Sequence, residues 1–148
     1  MANGAGISGA ELVMIQLRMF EEKDYLTICE WWSAQGWPLP PIESLSEFGM
    51  IAYNEKHLLC VGWLYLTTGY WGWIEWIVVN PDAPRKLRQT GLKSLIARLL
   101  EEAKVFNIKA VHCSLKSPGL IRMHQRAGFL IADKGMTNMI LTFNGGTP

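Results

Sequence analysis

The chain has 148 residues, with 14 basic and 13 acidic side chains and a formal net charge of +1. This length is typical of one domain. The near-balance of charge excludes a general nucleic-acid-binding protein, because non-specific binding to a polyanion requires a broad basic excess. No run reaches the ~18 apolar residues of a membrane span, and residues 1–6 lack the basic start and apolar core of a signal peptide. We therefore expect a soluble, cytoplasmic protein without a nucleic-acid or membrane partner.

The cysteine pattern argues against both disulfides and a metal site. The cysteines lie in apolar sequence, form no C-x-x-C pair and have no neighbouring histidine at metal-ligand spacing: Cys29, Cys60 and Cys113. They are interpreted as reduced core residues of an intracellular protein. No metal ion is expected.

Both ends of the chain are rich in glycine and small residues, which cannot offset their ordering entropy by burial. Residues 1–12 and 145–148 are therefore predicted to be flexible, and residues 13–144 are predicted to form a single domain. Within that domain the helix and strand patterns alternate without an internal repeat, which is typical of an α/β protein.

The first half of the domain begins with a predicted strand, Met14–Phe20. A helix over about 22–35 follows, because its apolar residues repeat at i, i+3, i+4 and i+7, namely Tyr25, Ile28, Cys29 and Trp32. Gly36 can end this helix. The next predicted elements are a stiff proline loop over 37–41, a short helix over about 43–49, a strand Met50–Tyr53 and a turn Asn54–His57.

The second half is predicted to contain, in order, strands His57–Thr67 and Tyr70–Val79, a helix over about 91–105, a strand Lys109–Leu115, a helix that begins at Ser117-Pro118 and ends at Gly128, and strands Phe129–Ala132 and Met136–Phe143. The strand that ends at Val79 is bulky at successive positions. Such a strand is typical of the centre of a sheet that is covered on both faces.

The most informative segment joins that strand to the helix over 91–105. No acidic residue lies between Asp82 and Glu101, whereas four basic residues fall within nine positions: Arg85, Lys86, Arg88 and Lys93. Thr90 is the predicted N-cap of the helix. Basic side chains at the N-terminus of a helix each cost about 0.3–1 kcal/mol, and a bound phosphate would reverse the sign. The segment therefore predicts a phosphate site, and the alternative is a solvated basic loop without a ligand.

The order of elements and three motifs resemble the GNAT superfamily of acyl-CoA-dependent N-acetyltransferases. Ile74–Pro81 resembles the family's fourth strand, Arg88–Lys93 resembles its pyrophosphate loop, and Met123–Phe129 resembles the signature that closes its fourth helix. The resemblance covers about residues 14–143. It implies an α/β fold with a mixed central sheet flanked by helices, in the order β-α-α-β-β-β-α-β-α-β-β. The chain departs from the family pattern in a phosphate loop that is four residues longer.

The resemblance also implies that the protein binds acetyl-CoA. In this family the sheet opens after the fourth strand, and exposed backbone groups of that strand pair with the pantetheine arm. The pyrophosphate would rest on backbone amides, with Arg88 and Lys93 contributing charge, although glycine or alanine is usual at the position of Lys93. The implied cofactor-binding residues are Ile77, Val78, Val79, Arg88, Gln89, Thr90, Gly91, Leu92, Lys93 and Ser94.

The activity that the resemblance implies is transfer of the acetyl group to a primary amine by direct attack, without a covalent enzyme intermediate. An alkyl ammonium with a pKa near ~10 must first lose a proton. Glu75 is the candidate general base, because desolvation among tryptophans would raise its pKa toward neutrality. The alternative is a buried carboxylate that is merely hydrogen-bonded across the sheet.

His124 occupies the position of the family's usual tyrosine, which often protonates the departing thiolate. It is the second candidate catalytic residue if it stays protonated. The alternative is a packed, neutral histidine, because it lies one turn from Leu120 and Ile121 on the expected buried face. The rival to an enzyme as a whole is a non-catalytic GNAT-like binding or interaction module.

The acceptor is left open between a small-molecule amine and a peptide amine. Three tryptophans flank the first helix and the proline loop, where this family commonly forms its acceptor pocket: Trp31, Trp32 and Trp37. If they line the pocket, an aromatic or cationic acceptor would be favoured by stacking or cation–π attraction; the alternative is that they are core. Pairing into a homodimer through Met136–Phe143 is a further expectation from the family.

Overall fold

The computed structural model describes residues 15–141 and residue 143. The predicted flexible termini lie outside these residues, as does Met14 at the predicted start of the first strand. The elements are β1 (Gln16–Met19), a 3-10 helix (Glu22–Asp24), α1 (Tyr25–Ala34), a second 3-10 helix (Ile42–Ser44), β2 (Phe48–Tyr53), β3 (Leu58–Leu66), β4 (Trp71–Val79), α2 (Arg85–Val105), β5 (Ala110–His112) and α3 (Pro118–Arg126).

The strands form one mixed sheet in the order β1-β2-β3-β4-β5. Neighbouring strands are antiparallel from β1 to β4, and β5 is parallel to β4. A parallel pair needs a crossover connection, and α2 provides it. The predicted α/β class, with a mixed sheet flanked by helices, is confirmed. None of the helices in the described part of the chain is long and apolar enough to cross a bilayer.

Both faces of the sheet are covered, which explains why the central strands are apolar at successive positions. On one face, α2 packs on side chains that include Leu64 and Ile74. On the other face, α1 packs on side chains that include Val61 and Trp63. Because strand side chains alternate between faces, each central strand contributes to both cores.

The first helix is divided where the sequence predicted a continuous one over 22–35. Residues Glu22–Asp24 form a 3-10 turn, and α1 begins only at Tyr25. The Asp24 carboxylate accepts two hydrogen bonds of 2.8 Å from Arg18 and one of 2.9 Å from the Glu21 backbone N–H. Arg18 holds the pKa of Asp24 below its usual range. The carboxylate thus fixes the entry to α1 by side-chain bonds that apolar spacing does not reveal.

Two other boundaries differ from the sequence predictions. The predicted helix over 43–49 is wrong: only Ile42–Ser44 is helical, as a 3-10 turn, and β2 begins at Phe48. The predicted helix start at Ser117-Pro118 is confirmed, because the Ser117 side chain accepts a hydrogen bond from the Leu120 N–H. Gly128 follows this helix with a φ of 105°, which favours glycine.

The predicted strands Phe129–Ala132 and Met136–Phe143 are wrong over the described residues, where no strand follows β5. The apolar side chains of this segment are mostly exposed, for example 91% of Leu130 and 89% of Met139. The predicted strand Lys109–Leu115 is likewise reduced to Ala110–His112. Strand propensity largely measures packing against neighbouring strands, so an apolar pattern alone does not form a strand without that partner.

Gly49 leaves space for the Trp63 indole in the core between α1 and the sheet. It is paired with Trp63 across the β2–β3 ladder, and a Cβ on Gly49 would lie 2.7 Å from Cδ1 and 2.9 Å from Cε2 of the Trp63 indole. Trp63 is fully buried and packs on Phe20 and Trp32, with ring centroids 5.1 and 5.6 Å away. The ring therefore has no space into which it can move.

We expect Gly49→Ala to lower the free energy of unfolding by about 1–3 kcal/mol, the usual cost of overpacking. Urea denaturation followed by tryptophan fluorescence measures it. The matched control is Gly69→Ala in the β3–β4 turn, where a Cβ meets no atom within 4 Å. Equal midpoints for the two variants would contradict the packing account.

Candidate active site

The sheet opens beside β4. The β4–β5 ladder contains the pairs Trp71–Ala110, Gly72–Val111 and Trp73–His112, and β5 then ends. β4 continues to Val79 and pairs only with β3 beyond that point. Alternate residues of a strand direct their backbone groups to opposite edges. The far half of β4, which contains the predicted Ile77, Val78 and Val79, therefore has edge groups that no described strand pairs.

A β-bulge interrupts the same stretch of β4. The register moves from Trp63–Glu75 to Val61–Val78, so Trp76 and Ile77 together oppose one residue of β3. Trp76 has a φ of 61°, in the left-handed region that a bulky residue rarely adopts. The indole of Trp32 lies 5.8 Å from that of Trp76 and donates a 3.4 Å hydrogen bond to its carbonyl oxygen. Such strain persists only where the surroundings hold it, and it clusters at functional sites.

Glu75 precedes the bulge and lies at the mouth of the opening. Its carboxylate Oε1 accepts a 2.9 Å hydrogen bond from the indole N–H of Trp73. Burial raises the pKa of Glu75, and hydrogen bonds from Trp73 and the Trp76 backbone offset part of that rise. The carboxylate thus has a proton affinity above the ordinary one, which suits a general base near neutral pH.

Cys113 lies near this carboxylate at the end of β5. Burial, with a further contribution from the negative charge of Glu75, raises the pKa of the Cys113 thiol to about 11. The thiol is therefore protonated at neutral pH. A thiolate nucleophile is disfavoured at this position, because the thiolate is the reactive form.

The helix after β4 begins earlier than the sequence predicted. α2 starts at Arg85, and its N-cap is Pro84. The predicted N-cap Thr90 is wrong: its hydroxyl donates a 3.0 Å hydrogen bond to the Lys86 carbonyl, one turn back within the helix. Leu87 explains the early start, because it is 2% exposed and anchors the first turn in the core.

This earlier start moves the unpaired backbone amides. Residues Gln89 to Ser94 lie inside α2, where amides bond to carbonyls of the preceding turn, so the pyrophosphate contact expected of them stays a prediction and the unpaired amides lie earlier in the chain. The first amide bonded in this way is that of Arg88, 3.0 Å from the Pro84 carbonyl oxygen. In the described structure the amides of Arg85, Lys86 and Leu87 have no such partner.

The predicted residues of the α2 segment separate into two groups. Gly91 and Leu92 are packing residues: Leu92 is 9% exposed, and a Cβ on Gly91 would lie 3.2 Å from the Leu59 Cβ and 3.4 Å from the Cys60 Sγ. The basic residues are different, since none of the ion pairs among described residues includes Arg85, Lys86, Arg88 or Lys93. The first turn of α2 also has no acidic side chain.

Arg88 is the basic residue closest to the core. Its Nε is buried and has no hydrogen-bond partner in the described part of the chain. A buried donor without a partner is costly unless a ligand satisfies it. The unpaired amides, the helix dipole and this guanidinium together form an arrangement suited to a phosphate group.

His124 is buried on α3. It is 2% exposed and packs edge-on against Phe129, with ring centroids 5.0 Å apart. Its Nδ1 lies 2.9 Å from the Leu120 carbonyl oxygen, which makes Nδ1 the donor, and the buried Nε2 has no partner among described residues. Burial lowers the pKa of His124. These surroundings favour the neutral packed histidine and disfavour the proton donor.

The lowered pKa of His124 should make the stability of the fold depend on pH. The unfolded chain binds the His124 proton below the ordinary pKa of about 6.5, whereas the folded chain resists it, so stability decreases as the pH falls through this region. We expect His124→Leu to lose less stability than the parent protein between pH 7 and pH 5. Urea midpoints at the two pH values measure this difference, and identical losses would contradict a buried neutral histidine.

A pocket of about 410 Å³ opens on the α1 face of the sheet. Its walls come from the proline loop, from β3 and β4, and from the segment after α3: Pro38, Leu39, Pro40, Pro41, Ser44, Tyr65, Trp76, Ile140, Leu141 and Phe143. Trp76 follows Glu75 directly in the chain. The pKa of the Tyr65 phenol is raised mainly by burial, and the nearby negative charge of Glu75 raises it further. The pocket thus adjoins the carboxylate.

The sequence located this pocket only in part. The proline loop does line it, but Trp31 and Trp32 are core residues with 4% and 0% exposure, and Trp37 is not among the lining side chains. Tyr65 and the residues after Met139 were missed. Tyr65 could have been found from strand alternation, which places it on the same face as Trp63. The segment after α3 could not, because its path does not follow a strand pattern.

Three solved structures define the fold. The ribosomal-protein-S18-alanine N-acetyltransferase of Escherichia coli matches with a TM-score of 0.68 and 14% identity over 81% of this chain and 80% of that chain. A GNAT-family acetyltransferase of Streptococcus pneumoniae gives 0.63 and 18% over 87% and 98%. N-acetylglutamate synthase of Neisseria gonorrhoeae, complexed with coenzyme A and N-acetyl-glutamate, gives 0.60 and 18% over 76% and 27%.

Sequence comparison does not detect this relationship. No protein-family model matches the chain, and no curated protein matches it by sequence. The likeness therefore rests on the arrangement of the elements: the five-stranded sheet, the crossover through α2 and the helices on both faces. The chain has the fold of the GNAT acetyltransferases.

Proposed function

We propose that this protein transfers an acetyl group from acetyl-CoA to a primary amine by direct attack, with Glu75 as the general base. The observation that carries the proposal is the opening of the sheet at Trp73. A carboxylate of raised pKa, an unpaired strand edge and a helix N-terminus with basic side chains follow one another along the chain there, from β4 into α2, and this supports the proposal.

The start of α2 fits the diphosphate of coenzyme A. A diphosphate requires several N–H donors and cationic side chains, and α2 offers the amides of residues 85–87 together with Arg85, Lys86 and Arg88. The pantetheine arm would extend back along the unpaired edge of β4, where an amide-containing chain can replace the missing strand. One solved structure with this fold contains coenzyme A, which supports the assignment of the ligand.

Glu75 would prepare the nucleophile. The acceptor arrives mainly as an ammonium ion, and Glu75 takes its proton directly or through a water molecule, leaving a neutral amine. The nitrogen then attacks the thioester carbonyl carbon, a C–N bond forms, and the C–S bond breaks. The nitrogen releases a second proton, and the departing thiolate takes it up.

This scheme places no demand on His124 or Cys113. The proton that the thiolate needs comes from the nitrogen, so the loss of the family's usual tyrosine does not remove a required atom from the reaction. His124 is neutral and enclosed, and the Cys113 thiol is protonated at neutral pH. Activity is therefore compatible with the residues at these two positions.

The pocket beside Trp76 is the proposed acceptor site. It adjoins Glu75 on the α1 face, so an amine bound there points its nitrogen toward the carboxylate. Solved structures with this fold include enzymes named for amino-acid and protein acceptors. The acceptor proposed here is a small molecule or a peptide that carries a primary amine.

Two measurements test the proposal. Calorimetric titration with acetyl-CoA should show one site with micromolar affinity, and a thiol-detecting assay with a panel of primary amines should show amine-dependent release of coenzyme A. Binding without release for any amine would favour the rival, a non-catalytic module that keeps the fold. Absence of binding by the folded protein would contradict both the proposed phosphate site at the start of α2 and the enzyme.

A further inference from the structure

The lining of the acceptor pocket restricts the kind of amine that it can accept. None of the ten side chains around it is charged. Glu43 is adjacent to Ser44 in the sequence, but its side chain is exposed to solvent and does not line the pocket. Glu75, next to the lining residue Trp76 in the chain, is therefore the carboxylate that we expect an ammonium group on the acceptor to meet.

The polar groups of the lining are already used. The Ser44 hydroxyl donates a 2.6 Å hydrogen bond to the Pro41 carbonyl, and the Tyr65 hydroxyl donates a 3.2 Å bond to the Ser44 carbonyl. These bonds tie the proline loop to β3 and leave few side-chain groups for a polar ligand. A substrate rich in hydroxyl or ammonium groups would lose water without gaining partners.

We infer that the acceptor is a primary amine whose remaining part is one bulky, uncharged, apolar group, aromatic or branched aliphatic. This inference rests on the proposed function, because it concerns the acceptor of that same reaction. A volume of about 410 Å³ lies in the range of pockets that enclose small ligands. Trp76 and Tyr65 present aromatic surface, and the Trp32 ring packs edge-on against the Trp76 ring at 5.8 Å.

The segment after α3 supports the same class of acceptor. Ile140, Leu141 and Phe143 line the pocket while 52%, 78% and 80% of each remain exposed. Apolar surface of this extent at a pocket rim gains free energy when an apolar ligand covers it. A polyamine or an aminosugar would instead place charged or polar groups against this apolar rim. Cation–π attraction to Trp76 does not reverse this preference, because a second ammonium would still lose its hydration.

Amino-acid amides separate the alternatives, because they share an α-amine and differ in the side chain; lysinamide alone carries a second primary amine, so its α-acetylated product is the one compared. We expect kcat/KM for phenylalaninamide to exceed that for glycinamide and for lysinamide by ~10-fold or more, the usual discrimination of an apolar pocket. Glycinamide lacks the apolar group, and lysinamide replaces it with a cation of similar length. Equal or higher activity with lysinamide or spermidine would overturn the inference while leaving the acetyltransferase function in place.

A charged side chain introduced into the pocket lining tests whether these residues determine the preference for an apolar acceptor. Leu39→Asp, in the proline loop, should reduce the preference for phenylalaninamide over lysinamide by ~10-fold. Leu26→Asp is the matched control, because Leu26 is 76% exposed on α1 and does not line the pocket. Equal preferences in the two variants would overturn the inference.

Binding without turnover separates this inference from the proposed function. Calorimetric titration with phenylalaninamide, in the presence of coenzyme A, should give an affinity that Leu39→Asp weakens and Leu26→Asp leaves unchanged. If no amine is acetylated but this pattern is found, the inference about the ligand class stands and the enzyme does not. If lysinamide binds the parent protein as tightly as phenylalaninamide, the inference fails.

Discussion

Arg88→Glu should weaken the binding of acetyl-CoA by ~100-fold, which corresponds to about 2.7 kcal/mol. The guanidinium stands in the first turn of α2, with a buried Nε that no described group satisfies. Hydrogen bonds to charged groups contribute about 1.5–3 kcal/mol, and the introduced carboxylate would also repel the diphosphate. Calorimetric titration of the two proteins with acetyl-CoA measures the change.

Arg98→Glu is the matched control for this charge reversal. It makes the same change of net charge in the same helix, about 15 Å along the axis from Arg88, where Arg98 pairs with Glu102 at 2.8 Å. We expect its affinity for acetyl-CoA to change by less than ~3-fold, because exposed charges more than a Debye length apart are screened at physiological salt. Similar losses in both variants would show that net charge, not the start of α2, determines binding.

The basic segment shows how far sequence reasoning reaches. Four basic residues that lead from β4 into the following helix indicated an anion site, and the structure brings Arg85, Lys86 and Arg88 to a helix N-terminus. The helix start was misplaced by six residues, from Gly91 to Arg85, because basic side chains disfavour a first turn locally. Burial of Leu87 overrides that local preference, and burial by distant strands is not visible in a local pattern.

The bulge in β4 could not be predicted from its own residues. Ile74–Val79 has the composition of a regular strand, and a tryptophan in left-handed geometry is disfavoured on its own. The irregularity arises from pairing with β3, where Gly62 alone opposes two residues, and from the contact with Trp32 in α1. Because of the bulge, Glu75 and Trp76 face the same side of the sheet, so the candidate base lies beside the pocket that Trp76 lines.

The segment after α3 shows the opposite error. Its apolar residues predicted two strands and a dimer contact, but those described here form no strand, and apart from Phe129, which packs against the core, they are mostly exposed. Instead, Ile140 and Leu141 become part of the pocket wall. Apolar patterns report that a segment needs apolar contacts without stating whether a strand, a second chain or a ligand provides them. Pairing of two copies through this segment remains an expectation from the family.

Glu75→Gln should lower kcat by ~10²-fold or more while leaving the affinity for acetyl-CoA unchanged. The amide keeps an acceptor for the Trp73 N–H but cannot take a proton. In the parent enzyme the rate should fall as the pH falls through the raised pKa of Glu75, because the base becomes protonated, and the variant should lack this loss. Initial rates with a saturating amine across pH 5 to 8 measure both effects. The control is Glu55→Gln, which removes an exposed carboxylate from the β2–β3 turn.

The same substitution should stabilise the fold, which distinguishes a catalytic carboxylate from a structural one. Because burial raises the folded-state pKa of Glu75, the stability of the parent protein decreases as the pH rises from the unfolded pKa of about 4.3 through the raised value. Glutamine carries no charge, so Glu75→Gln should have the higher Tm at pH 7. A variant that is both less active and more stable indicates that the carboxylate is kept for the reaction at the expense of stability. An unchanged rate with a lower Tm would instead assign Glu75 to hydrogen bonding within the sheet.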